Sequence, residues 1–303
     1  MTGSLHKYQI LPEMSAFKSF ERYIDPESGR LSSYFSKLFI LIGDASLQYC
    51  LLDTDRNTFV ALADFRLPSL PKSKEAFYAE ISQLLSEDDL LKKKYPSVVI
   101  GLDSLLHTLV PAPLFEPEQP GKYLEFNFGK TGDGEVRVDH LEEIESFNVY
   151  GIPVGSLDIV KNNFGEAAIF HRSSALIRAI YNLQKINPAP ADLYLNVREQ
   201  FIDLASIRGG RLIFFNSYSC TGKEDMLYYT LYAMEQLNLR PGNSQLSVSG
   251  NIDIGSESHR LLEQYINPLL FPERLNLWDY SPFMGQSPAY RYLELFALAL
   301  CGL

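Results

Sequence analysis

The chain has 303 residues, of which 46% are hydrophobic and 21% charged, and its formal net charge is −10. This acidic balance argues against a surface built for the phosphate backbone of nucleic acids. The three cysteines, Cys50, Cys220 and Cys301, are widely spaced and odd in number, which fits neither a disulfide framework nor a zinc site. Neither a signal peptide nor a membrane span is evident, so we predict a cytoplasmic protein.

The first strong pattern is a three-strand meander at residues 37–67, where apolar runs alternate with tight turns. Upstream, four apolar side chains have the spacing of one helical face: Phe17, Phe20, Tyr23 and Ile24. Downstream, a second stripe marks an amphipathic helix over residues 72–94: Phe77, Ile81, Leu84 and Leu85. Residues 97–102 then form a short apolar run typical of a buried strand, with Asp103 directly after it.

Residues 104–153 interrupt this order of elements. They begin with a short predicted helix between Leu105 and Val110 and continue with a proline-rich loop. A β-hairpin is predicted next, with arms at residues 123–128 and 135–138 around a glycine-rich turn, and residues 147–152 add another strand. Beyond the interruption, the pattern predicts a helix, a strand and a second helix, at residues 154–164, 167–171 and 173–186.

The second half of the chain repeats the order of the first. Three strands are predicted at residues 192–197, 201–207 and 211–217. A helix, a strand, a helix, a strand and a final helix follow, at residues 222–239, 245–250, 256–266, 274–278 and 288–300. The final helix is apolar nearly all round, so we expect it to be buried. We therefore predict two domains, residues 1–187 with an insertion at 104–153, and residues 188–303.

Both halves read β-β-β-α-β-α-β-α, and this order resembles the duplicated ribonuclease H-like fold of the actin-like ATPases. That superfamily includes actin, sugar kinases, and bacterial division and pilus-assembly proteins. The insertion is similar in place to the extra subdomain of the division and pilus-assembly branch. The chain also resembles a bacterial family of unknown function assigned to this fold. The resemblance covers residues 37–303 and implies an α/β fold.

The resemblance also implies that two strand-turn-strand loops, one in each half, hold phosphates and Mg²⁺. Each loop of the family usually carries an acidic residue, then a glycine, then small hydroxyl residues. In the first loop here, matching Gly43 to the family glycine puts Leu41 where the acid belongs and leaves Asp44 on the other side of the glycine. The second loop, residues 196–200, contains no glycine.

A third family feature is a glycine pair near the adenosine, and only Gly250 of the pair is kept here. The candidate nucleotide cleft comprises six residues: Gly43, Asp44, Ser46, Arg198, Ser249 and Gly250. Because its loops depart from the family pattern, we predict that Mg²⁺ and ATP are not cofactors of this protein. No residue is assigned a catalytic role.

Two carboxylates form a second candidate site, since the fold also hosts nucleases. Asp44 follows the first strand and Asp103 the fourth, so they approach each other if those strands are neighbours. Together they are the candidate ligands of a catalytic metal. Nucleases of this fold generally carry an aspartate within the first strand, however, and this strand has none. Asp is also a common turn residue, and we favour that interpretation.

Three functions remain open from the sequence. The favoured one is a non-catalytic, actin-like scaffold that binds another protein. The alternatives are an atypical ATP-binding protein or slow ATPase, and a degenerate ribonuclease H-like nuclease. In the predicted hairpin of the insertion, Tyr123, Phe126 and Phe128 do not alternate onto one face. Edge strands with apolar side chains on both faces recruit other chains, so this hairpin is the predicted partner surface.

Overall fold

The computed structural model describes residues 15–26, 35–130, 132–187 and 190–302. Its strands, in chain order, are β1 (Lys18–Ile24), β2 (Ser36–Ile42), β3 (Ser46–Asp53), β4 (Thr58–Arg66), β5 (Ser97–Leu102), β6 (His107–Pro111), β7 (Gly134–Leu141), β8 (Ser146–Pro153), β9 (Ala168–His171), β10 (Leu193–Val197), β11 (Phe201–Arg208), β12 (Arg211–Ser219), β13 (Leu246–Gly250), β14 (Leu269–Leu270) and β15 (Asp279–Tyr280). The helices are α1 (Lys74–Glu87), α2 (Gly121–Phe128), α3 (Val154–Phe164), α4 (Arg172–Ile186), α5 (Lys223–Gln236), α6 (Glu257–Tyr265) and α7 (Leu293–Cys301).

The two halves of the chain form sheets with the same strand order. The first sheet runs β1-β4-β3-β2-β5-β9, and the second runs β12-β11-β10-β13-β14. In the first sheet, β2 pairs antiparallel with β3 and parallel with β5, and in the second, β10 pairs in the same way with β11 and β13. Strands β1 and β15 are additional strands of the first sheet, and both pair with β4. This shared topology confirms the predicted duplication of a ribonuclease H-like unit. Two residues at the predicted domain boundary, 188 and 189, lie outside the described residues, and the boundary itself remains a prediction.

The helices pack on these sheets through their apolar faces. Ser73 caps α1 by accepting a hydrogen bond from the Ala76 amide at 3.2 Å, and the predicted apolar stripe of α1 is buried. In α7, every residue is buried, as the sequence predicted. Helices α4 and α7 pack on each other, and one hydrophobic core that contains them reaches both sheets. The two halves therefore share a core as well as a topology.

The insertion forms a separate three-stranded sheet in the order β6-β8-β7, with α2 packed on it. Two predictions for this segment were wrong. The predicted helix at 105–110 is strand β6, which pairs with β8, and the predicted hairpin arm at 123–128 is helix α2. Only Leu124 of α2 is buried, so neither helical nor strand periodicity marks it in the sequence. Residue 131, in the predicted turn, lies outside the described residues.

Near the ends of the chain, one segment with helical spacing is a strand and one predicted strand is absent. The segment with helical spacing of Phe17 and Tyr23 contributes strand β1, which pairs antiparallel with β4. The predicted strand at 274–278 is absent from that described segment, and β14 is the fifth strand of the second sheet instead. Trp278 packs its ring 5.6 Å from Phe59 of the first sheet, which places this segment beside the other half. Within the described parts of the chain, no helix has the length and apolar character of a membrane span.

Candidate functional site

The turns that follow β2 and β10 face each other across the cleft between the halves. Gly43, Ser46 and Arg198 line one small cavity there, so the structure brings these three predicted cleft residues together. In the first turn, the Gly43 amide donates to the Ser46 carbonyl at 2.9 Å. In the second, the Arg198 amide donates to the Phe201 carbonyl at 2.9 Å. The volume of the cavity is about 20 Å³, which is enough for about one water molecule.

Charged side chains fill the rest of the gap between these turns. Arg198 Nη1 lies 2.6 Å from Asp103 Oδ2, and its Nη2 lies 3.0 Å from Asp203 Oδ1. Arg172 Nη1 lies 3.2 Å from the same Asp103 oxygen, and two of its nitrogens bind the Glu294 carboxylate. We call these five residues the cleft network. Each of their side chains is at most 8% exposed.

The cleft network joins the two halves of the chain. Asp103 follows β5 and Arg172 begins α4, so both belong to the first half. Arg198, Asp203 and Glu294 lie on the second loop, on β11 and on α7. Two of its ion pairs, Arg198 to Asp103 and Arg172 to Glu294, therefore cross from one half to the other.

Electrostatics within the network favour the ionised forms of Asp103, Arg172 and Arg198, whereas burial raises the pKa of Glu294 despite its pairing with Arg172. Burial by itself would raise the pKa of Asp103, but the Arg198 and Arg172 guanidinium groups outweigh burial and hold that pKa well below its usual range. Burial likewise opposes the charge of Arg172, but Glu294 and Asp103 outweigh it and raise the Arg172 pKa. A buried charge costs free energy unless it is paired and hydrogen-bonded, and here the charges are both.

The two candidate metal ligands, Asp44 and Asp103, line a second and larger cavity. Their carboxyl groups are not equivalent. Asp103 Oδ2 accepts hydrogen bonds from both arginines of the network, whereas Asp44 stands outside it. Burial raises the pKa of Asp44, and the negative charge of Asp103 raises it further. Within the described residues, no group of three or more His, Cys, Asp or Glu side chains is placed to hold a metal ion.

Ser249 and Gly250 lie at the end of β13, behind the second loop. The Ser249 hydroxyl bonds Asn196 Oδ1 at 3.0 Å. Gly250 has φ of +86°, and a Cβ atom there would come within 2.2 Å of the Val197 carbonyl oxygen. Any side chain at this position would clash with the neighbouring backbone, so the position requires glycine.

Sequence reasoning missed three members of the network: Arg172, Asp203 and Glu294. Glu294 had a usable signal, since it stands between Leu293 and Leu295 in a helix that is otherwise almost wholly apolar. A charged residue in such a helix is buried only when it is paired. Its partner was hidden because Arg172 lies 122 residues earlier in the chain.

The three predicted partner residues of the insertion have different surroundings on α2. The Tyr123 hydroxyl donates to the Leu114 carbonyl at 2.6 Å and accepts from the Glu116 amide at 2.7 Å. Tyr123 therefore anchors the preceding loop. Phe126 is 90% exposed and Phe128 is 45% exposed. The structure leaves these two phenylalanines available on the surface.

Solved structures with the same fold support this description. A Bacteroides thetaiotaomicron VPI-5482 protein with an actin-like ATPase fold and unknown function has 21% sequence identity and a TM-score of 0.72. That match covers 89% of this chain and 97% of the other. The PilM–PilN type IV pilus biogenesis complex gives 15% identity and a TM-score of 0.56, over 88% of this chain and 98% of that one. The fold of the chain is therefore that of the actin-like ATPases.

None of the curated proteins compared with the chain matches it. A family model does match, over residues 27–269, which is well over half of the chain. Its description is "Protein of unknown function", and it agrees with the resemblance inferred from the order of elements. The chain belongs to this family, DUF3822.

Proposed function

We propose that this protein is a non-catalytic interaction module in which the cleft network joins the two halves of an actin-like fold. The observation that carries the proposal is the position of Arg198. It lies on the loop that resembles the second phosphate-binding loop of the family, and it bonds Asp103 of the first half and Asp203 of the second. On this loop, the ion pairs of the Arg198 guanidinium group with two carboxylates take the place of the interactions that a metal and phosphates would make.

Space and loop chemistry support this proposal over nucleotide binding. The cavity lined by Gly43, Ser46 and Arg198 has a volume of about 20 Å³, which is too small for a triphosphate. A larger cavity beside it is lined by Gly43 and Asp44 of the first loop and Gln200 of the second. Leu41, at the position of the family's acid, is 4% exposed and lines the small cavity without an oxygen that could bind Mg²⁺. A phosphate placed in the small cavity would require the Arg172 and Arg198 side chains to leave their buried partners.

The insertion supplies the surface we assign to a protein partner. Leu114 is 68% exposed, and together with Phe126 and Phe128 it places three exposed apolar side chains within residues 114–128 of the insertion. Exposed acidic residues lie in the same segment: Glu116, Glu118 and Glu125. Exposed apolar side chains near charges are typical of interaction sites, and the acidic groups favour a basic partner. PilM, which has the same fold, is seen in a complex with PilN.

Millimolar Mg²⁺-ATP is expected to leave the melting temperature of the protein unchanged, and phosphate release is expected to stay at background. A ligand present at about 100 times its Kd would add roughly 2.7 kcal/mol to the free energy of unfolding. Differential scanning fluorimetry and a phosphate assay measure both quantities. A clear rise in melting temperature with ATP, or phosphate release proportional to protein, would replace the proposal with an ATP-binding function.

Replacing both Phe126 and Leu114 with Ser is expected to abolish capture of the native partner and to leave stability unchanged. Both side chains are mostly exposed, so their removal takes little apolar area out of the fold. Affinity purification from the native host, compared by mass spectrometry, measures the loss. Ile254→Ser is the matched control, since Ile254 is 60% exposed but lies in the second half. If both variants retain the same partners, the surface lies elsewhere.

A further inference from the structure

A cavity of about 640 Å³ opens beside the cleft, at the junction of the first sheet, α1 and the insertion. Ile42 and Leu102, the last residues of the parallel strands β2 and β5, form one wall. The region beyond the carboxyl ends of parallel strands is where open α/β sheets bind ligands. The volume lies within the range of sites for small molecules.

The lining of this cavity is mainly apolar. Phe77 and Tyr78 of α1 form part of it, and Leu70 and Leu105 stand at its mouth. These two leucines are 47% and 56% exposed, so water reaches them in the absence of an occupant. A bound apolar group would cover both leucines, and removing their apolar surface from water would favour binding.

The cavity contains a carboxylate, that of Asp44, which lacks a hydrogen-bond donor among the described residues. The carboxylate of Asp103, in contrast, is bound by two arginines. The charges of Asp103 and Glu199 repel that of Asp44. Arg198 and Arg172 attract it, but both already pair with carboxylates of the cleft network. Lys74 lines the cavity with its side chain exposed.

We propose that this cavity binds a molecule that carries a protonated amine on an apolar stem. The ammonium group bonds the Asp44 carboxylate, and the stem lies against Phe77, Tyr78 and Leu102. A charge-assisted hydrogen bond to a partly buried carboxylate is about twice as strong as a neutral one.

The proposal is tested with 4-phenylbutylamine as the probe, and with 4-phenylbutan-1-ol and 4-phenylbutyrate as neutral and anionic analogues. Calorimetric titration at neutral pH measures each affinity. The amine is expected to bind at least about tenfold more tightly than the alcohol, and the acid more weakly still. Asp44→Asn is expected to remove the preference for the amine and to leave affinity for the alcohol unchanged.

Asp158→Asn is the matched control, because Asp158 is an exposed carboxylate on α3 and does not line the cavity. It is expected to bind all three compounds as the unmodified protein does. Equal affinity for amine and alcohol, an unchanged preference in Asp44→Asn, or the absence of amine binding at millimolar concentration would each overturn the proposal. The titration and the ATP experiment use different ligands, so the amine can fail to bind while the protein still shows no response to ATP.

Discussion

Replacing Arg198 with Met is expected to lower the free energy of unfolding by about 3–5 kcal/mol, the usual cost of removing one partner from a buried ion pair. The Arg198 side chain is 4% exposed and bonds both Asp103 and Asp203. Met keeps much of the side-chain volume, so the loss reports on charge and not on packing. Urea denaturation followed by circular dichroism measures it. A loss below about 1 kcal/mol would mean that the network does not join the halves.

Arg137→Met is the matched control for this experiment. Arg137 pairs with Glu135 at 2.7 Å, but the two side chains are 32% and 42% exposed. Exposed pairs contribute about 0–1 kcal/mol, so this variant should remain near the unmodified protein. The double variant Arg198→Met, Asp103→Asn should recover part of the loss, because it no longer buries the carboxylate charge of Asp103.

The same variants should differ in their response to acid. The pKa of Asp103 is held below its unfolded value by Arg198 and Arg172, against the opposing effect of burial. Its stabilising contribution is therefore present above the unfolded pKa, near pH 4, and is lost as pH falls towards the folded pKa. In Arg198→Met the pKa of Asp103 in the folded protein rises, so the free energy of unfolding lost on acidification becomes smaller.

Most of the fold could be predicted because its strands and helices carry their own patterns. Strand β2 lies between helix-covered faces and reads as a continuous apolar run. Helix α3 begins at Val154 and ends at Phe164, as predicted. The insertion could not be predicted in this way. Leu105, Leu106 and Leu109 have helical spacing, but the segment from His107 becomes strand β6 through backbone pairing with β8, some 40 residues later in the chain.

Only part of the candidate site could be predicted from the sequence, and the reason is related. Turn residues such as Gly43 and Arg198 are visible beside strong strands, so the two loops could be located. Their chemistry depends on side chains brought in by α4 and α7, and no local pattern indicates which charges meet when these helices pack together. The resemblance directed attention to Asp44 and Asp103 as a pair of metal ligands, whereas in the structure Asp103 pairs with both arginines of the cleft and Asp44 does not.

Replacing Gly250 with Ala is expected to destabilise the protein by more than about 3 kcal/mol or to prevent its folding. The new Cβ atom would lie 2.2 Å from the Val197 carbonyl oxygen and 2.9 Å from the Val197 nitrogen, so β13 would have to move away from β10. Gly255→Ala is the control that separates the cost of the steric clash from the cost of the left-handed backbone conformation. Gly255 has φ of +83° but nothing within 4 Å of its Cβ position. That control should cost only about 1–2 kcal/mol. Equal melting temperatures for the two variants would show that contact with Val197 does not constrain position 250, which would then be available to contact a ligand.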